Sequence, residues 1–122
     1  MSSSTMMGRE RLDYLWQRGL DFLGTEYAIL AGAMSWVSER NLVSAISNAG
    51  GFGVIACGGM NPEQLSAEID ATKELTDKPF AVNLITLHPD LDALIDVCVA
   101  NTGADTSEDF VVQAVLNSLH CF

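Results

Sequence analysis

The feature that most constrains this chain is a repeat of short apolar segments, each followed by a helical pattern. The segments begin at residues 28, 53 and 80, which gives intervals of 25 and 27 residues. Ala28 to Ala31, Gly53 to Ala56 and Phe80 to Leu84 are apolar almost throughout, Asn83 being the exception, rather than alternating with polar residues. Strands of that kind suit a parallel sheet covered by helices on both faces. The intervals are long enough for crossover helices, which parallel strands require.

Each interval carries helix signals. Ser38 reads as the cap of a helix over residues 39–49, with Leu42, Ala45, Ile46 and Ala49 on its inner face. Asn61 and Pro62 open a second over 62–75, with Gln64 at capping-box spacing and Leu65, Ile69, Thr72 and Leu75 inward. Pro89-Asp90 opens a third, with Leu91, Leu94, Ile95 and Cys98 on its stripe. Ahead of the repeat, Leu12, Leu15, Trp16, Leu20 and Leu23 make residues 9–23 an amphipathic helix, preceded by a disordered terminus over residues 1–8. The fold class is therefore α/β, with about three βα units preceded by one amphipathic helix. An open doubly wound sheet and part of a (β/α)8 barrel both satisfy this pattern.

Composition narrows the function. Sixteen acidic and 6 basic residues give a formal net charge of −10, which repels nucleic acid and anionic membrane. The first residues form no signal peptide, and no apolar run approaches the ~20 residues that span a bilayer, so a cytoplasmic location is expected. Cys57, Cys98 and Cys121 are odd in number and widely spaced, which fits neither a disulfide framework nor a zinc site. No metal site is expected.

Parallel α/β folds place their sites at the carboxyl ends of strands. Three segments qualify here: Gly32 to Trp36, Cys57 to Met60, and Asn83 to Pro89. Glycine lets a planar ligand lie against the backbone, and Asn83 can donate and accept at once, which suits a flavin or nucleotide edge. Met34 and Met60 read as core fillers, and Trp36 either shields a ring or packs under the next helix. Cys57 lacks a neighbouring cation to activate it, and His88 is a lone loop histidine. Neither GxGxxG nor GxxxxGK[ST] occurs.

Taken together, Gly32-Ala33-Met34-Ser35-Trp36-Val37, Leu42 through Ile55, Asn61 through Leu65, Leu75 through Leu84 and His88-Pro89 resemble the N-terminal portion of the nitronate monooxygenase (2-nitropropane dioxygenase-like) family. The related FMN-dependent enoyl-acyl-carrier-protein reductases are nearly as similar. The resemblance implies the N-terminal part of a (β/α)8 TIM-type barrel, a partial flavin-binding barrel over residues 9–98. It implies FMN as cofactor, with Gly32, Ala33 and Met34 beside the ring and Asn83 hydrogen-bonded to it. Ala31 stands where the family commonly has Gln, and Ala81 where Gly usually precedes Val-Asn.

The implied parent activity is oxidation of alkyl nitronates with O₂ to a carbonyl compound and nitrite. No residue here matches the family's catalytic His in a Gly-His-x-Gly loop, so no catalytic residue is assigned and little activity is expected. The family's phosphate-holding loops are likewise unmatched, so weak FMN binding or none is expected. Residues 99–122 read as a tail outside the family pattern, with a helix from Ser107 to Leu119. The alternatives are an enoyl-thioester reductase fragment and a non-enzymatic remnant. Three strands cannot close a barrel, so self-association through exposed strand edges is expected.

Overall fold

The computed structural model describes residues 3–101 and 110–113, with the backbone alone for residues 3–7 and 110–113. The element order is α1 (Ser3–Leu23), α2 (Arg40–Asn48), β1 (Gly53–Ala56), α3 (Pro62–Leu75), β2 (Phe80–Asn83), α4 (Leu91–Asn101) and β3 (Phe110–Gln113). The strands form one parallel sheet in the order β1-β2-β3. Gly53 pairs with Phe80 and Phe80 with Phe110, and at the other end Ala56, Asn83 and Gln113 lie in line. Every residue of β1 and β2 is buried, as apolar runs interrupted only by Asn83 require.

The expected first strand is only a rudiment. Ala28 to Ala31 makes one parallel bridge, Leu30 with Phe52, held by hydrogen bonds from Phe52 N to Ile29 O and from Ala31 N to Phe52 O. Beyond Ala31 the chain leaves β1 and turns at Met34, whose carbonyl accepts from the Val37 and Ser38 N–H groups. Helix α1 begins at Ser3, not after a disordered octapeptide; Met6 and Met7 are good helix formers and no proline interrupts them. The helix expected over 107–119 is contradicted at Phe110–Gln113, which is β3, while the rest of that stretch lies outside the described residues. Phe110, Val111 and Val112 favour strand, and pairing with β2 satisfies their backbone groups.

Helix α2 corrects two expectations. Its cap is Glu39, whose carboxylate accepts from the N–H groups of Asn41 and Leu42, whereas Ser38 turns back to accept from Met34 N. Its buried residues are Val43, Ser44 and Ser47, not the Leu42/Ala45/Ile46/Ala49 face. The reason is close contact with the start of β1, which leaves no room for a side chain at Gly53 and gives Ser47 partners there. A methyl group on Gly53 would lie 2.5 Å from Val43 O, and Ser47 Oγ accepts from Gly53 N while donating to Pro79 O.

Helix α3 starts as expected. Asn61 Oδ1 accepts from Gln64 N at 2.8 Å and Gln64 Oε1 accepts from Asn61 N at 3.0 Å, a complete capping box. Leu65, Ile69 and Thr72 are buried, but Leu75 at the last turn is exposed and Glu68 takes the inward place. Glu68 binds Arg40 through the backbone N–H and through Nε and Nη2, tying α3 to the first turn of α2. Burial alone would raise the Glu68 carboxyl, but the Arg40 hydrogen bonds and charge outweigh it and hold the group below its ordinary value. Around the sheet, Val43, Ile55, Leu65, Ile69, Val82, Leu94 and Cys98 form the main core.

Two outcomes are expected. Replacing Asn61 by Ala removes one half of the box and should cost about 1 kcal/mol in urea unfolding, with an unchanged m-value. Glu68→Gln should lower stability by about 1 kcal/mol at pH 7, a modest figure because Arg40 is partly exposed and water screens the pair. The depressed carboxyl contributes fully above about pH 4.5 and loses that contribution as pH falls through the lower folded value. Thermal melts of the two proteins should therefore converge as pH falls below the depressed folded value.

Candidate flavin site

The carboxyl ends of β1 and β2 and the loop after the first apolar segment converge. Three contacts show it. Ala56 N, at the end of β1, donates to Ser38 O at 3.1 Å, and Ser38 Oγ accepts from Met34 N. Ile85, just past β2, lies against Gly58, with Ser35 Oγ close by. The indole of Trp36 lies over Gly59, so that a methyl group there would be 2.6 Å from Cζ2. All three segments singled out from sequence thus meet at one end of the sheet.

Within this cluster the expected site residues differ in surroundings. Asn83, beside Ala56 in the sheet, is 7% exposed, and its backbone oxygen accepts from Cys57 Sγ at 2.8 Å. Among the described residues its side-chain amide has no hydrogen-bond partner. A buried amide without partners costs free energy, so one that persists calls for a ligand or water. Ala33 packs against the small cluster of Phe52, Val54 and Ala81. Gly32 has open space around it, and Met34 is half exposed, so its side chain is not the core filler its chemistry suggested.

Trp36, read from sequence as shielding a ring or packing under the next helix, has a backbone shape that the sequence does not signal. Its φ of 66° places a bulky residue in the left-handed region, and it is 83% exposed, so it does not pack under α2. Such a conformation costs about 1–3 kcal/mol and is found where surrounding structure imposes it, often at functional sites. Nothing in the residue type signals this; only the crowding of Met34 to Ser38 into one turn produces it.

Cys57 and His88 have structural duties. Burial pushes the Cys57 thiol up, and backbone hydrogen bonds offset that only in part. Cys98 is pushed up to about 11, first by burial and then by the neighbouring Cys57. His88 Nδ1 accepts from Asp90 N at 3.0 Å, and its carbonyl accepts from Leu91 N, so it closes the turn that starts α4. No group of three or more His, Cys, Asp or Glu able to hold a metal occurs among the described residues. No helix among them is long and apolar enough to cross a membrane.

A family profile for nitronate monooxygenase matches residues 17–112, from α1 into β3. The chain belongs to the nitronate monooxygenase family. This family is FMN-dependent. A probable nitronate monooxygenase of Staphylococcus saprophyticus is 42% identical over 62 residues, 51% of this chain and 18% of the relative. A dehydrogenase of Mycobacterium tuberculosis, acting on (3aS,4S,5R,7aS)-5-hydroxy-7a-methyl-1-oxo-octahydro-1H-indene-4-carboxyl-CoA, is 42% identical over 64 residues, 52% of this chain and 18% of the relative. Among solved structures, FabK from Thermotoga maritima superposes with a TM-score of 0.68 at 41% identity, covering 70% of this chain and 27% of FabK. The chain therefore spans about a fifth of the length of these curated relatives.

The thiol environments make a direct prediction. At pH 7.5 Cys57 and Cys98 should react with iodoacetamide far more slowly in the folded protein than in urea. Peptide mass spectrometry reads each site separately, and rapid labelling of folded Cys57 would contradict the buried hydrogen bond to Asn83.

Proposed function

We propose that these residues form the ring-facing wall of an FMN site in the first part of a (β/α)8 barrel, whose parent activity is oxidation of alkyl nitronates. The carrying observation is the buried Asn83 amide, unpartnered among the described residues, at the carboxyl end of β2. The residues present fit a flavin ring. An amide that donates and accepts matches the alternating acceptors and N–H of the ring's pyrimidine edge. The open space at Gly32 and the adjoining Ala33-Met34 backbone leave room for a flat ring against the main chain.

When bound, FMN would supply the redox chemistry by which a nitronate and O₂ become a carbonyl compound and nitrite. This chain's residues would orient the ring and keep water from its edge. The Asn83 backbone is held by the sheet register and by the Cys57 thiol on its carbonyl, which places its side chain at the carboxyl end of β2 before a ligand arrives. Gly32, Ala33 and Met34 are held by the Ser38 hydroxyl and the Phe52/Val54/Ala81 cluster. The likeness to a carboxyl-CoA dehydrogenase favours a second reading, a flavin site serving a thioester substrate.

Titration with riboflavin and FMN, followed by flavin fluorescence, tests the site. The proposal expects binding weaker than about 1 µM, with the two ligands within a few-fold of each other, because the wall holds the ring. Asn83→Ala should weaken both by about tenfold, the loss of one well-made buried hydrogen bond. No binding of either ligand, or an Asn83→Ala protein indistinguishable from the parent, would contradict the reading. Much tighter binding of FMN than riboflavin would reveal a phosphate anchor elsewhere.

A further inference from the structure

Gly59 is a glycine for a reason that lies outside its own backbone. Among the described residues positive φ falls at Gly24, Trp36 and Gly50, so the main chain at Gly59 does not bar a side chain. One ring does. The three atoms nearest to a methyl group placed there are Trp36 Cζ2 at 2.6 Å, Cη2 at 2.9 Å and Cε2 at 3.2 Å. The edge of the indole therefore rests on the bare Cα of Gly59. That seat is itself held, because Met60 N donates to Cys57 O at 2.9 Å and Met60 packs against the main core. On the other side of the contact the turn from Met34 to Ser38 closes on itself. Met34 O accepts from Val37 N and Ser38 N, and Ser38 Oγ accepts from Met34 N. Ser38 O ties one end of this turn to Ala56 N, and the indole ties its middle to Gly59.

We propose that Trp36 is a positioning residue: seated on Gly59, its indole locks the Gly32–Met34 backbone in the shape that receives a flavin ring. This role rests on the flavin reading above. The segment to be held is thinly packed. A methyl group at Gly32 would meet nothing within 4 Å, and Met34 is half exposed. Ala33 on the Phe52 cluster and the Ser38 hydroxyl on Met34 N hold it from within, and the indole adds a hold through the loop after β1. The left-handed backbone at Trp36 aims the ring at Gly59 rather than under α2, and such a shape persists only where its surroundings impose it. Both partners of the contact lie between residues 36 and 59, so it does not depend on what covers the rest of the ring. Trp36 touches no flavin in this account; it acts through the backbone of Met34.

Hydrogen exchange of the Met34 amide in the ligand-free full chain, with riboflavin titration beside it, tests the role. Gly59→Ala puts a methyl group where the indole sits. Met34 exchange should quicken, and riboflavin should bind about tenfold more weakly through loss of the pre-formed shape. Trp36→Gly should do the same without lowering the urea midpoint, because glycine takes the left-handed backbone without strain. A residue that only supported the fold would lose stability and affinity in step. Adding Gly59→Ala to Trp36→Gly should change nothing further, since the methyl group then has space. Parental exchange and affinity in Gly59→Ala would overturn the proposal. So would a double variant that binds tenfold worse than Trp36→Gly, or a Trp36→Gly protein whose urea midpoint falls with its affinity. A parent chain that binds no riboflavin overturns the flavin reading and this role with it; a parent that binds while Gly59→Ala matches it overturns this role alone.

Discussion

The approach of α2 to the start of β1 is the constraint on which the rest of the structure depends. Gly53 has no side chain because Val43 O and Ser47 Oγ occupy the space one would need. Ser47 then joins both strands at once, accepting from Gly53 and donating to Pro79 just before β2. This fixes where β1 and β2 begin relative to each other, and with that the register that sets Ala56 beside Asn83. A larger residue at 53 would lift the helix, break the hydroxyl bridge and release the pairing together.

The candidate site inherits this geometry at the opposite end of the same strands. Just past Ala56 and Asn83, the chain leaves the sheet in loops that meet around Ser35, Trp36, Gly58 and Ile85. The Cys57 thiol acts as a pin on the Asn83 carbonyl rather than as a nucleophile, since burial keeps it protonated. The left-handed backbone at Trp36 shows that the first loop is held in a costly shape by the Met34–Ser38 turn. The proposed flavin wall rests on the buried Asn83 amide, which has no hydrogen-bond partner among the described residues.

Sequence was most informative where local chemistry alone decides structure. The Asn61-Pro62-Gln64 signal specifies the start of α3 because the capping box closes within four residues. Apolar runs revealed β1 and β2 because a doubly covered strand tolerates little else. Periodicity failed for α2, whose inner face is chosen by Gly53 and by the need of Gly53 N for a partner, and so buries Ser44 and Ser47. It failed again at Phe110–Gln113, where apolar spacing suits helix or strand and pairing with β2 chooses strand. The family resemblance pointed to Asn83, which the structure buries at the carboxyl end of β2, whereas the positive φ of Trp36 and the inward Glu68 arise only from packing.

The central proposal is that Asn83 offers its buried amide to a flavin edge. Its side-chain ¹⁵N–¹H resonances, assigned through an Asn83→Asp protein, report on that group alone. On adding riboflavin the account predicts a downfield shift of one Asn83 amide proton and slowed exchange with water, while the amides of Asn41 and Asn61 stay in place. An Asn83 signal that does not move while flavin binds would contradict it.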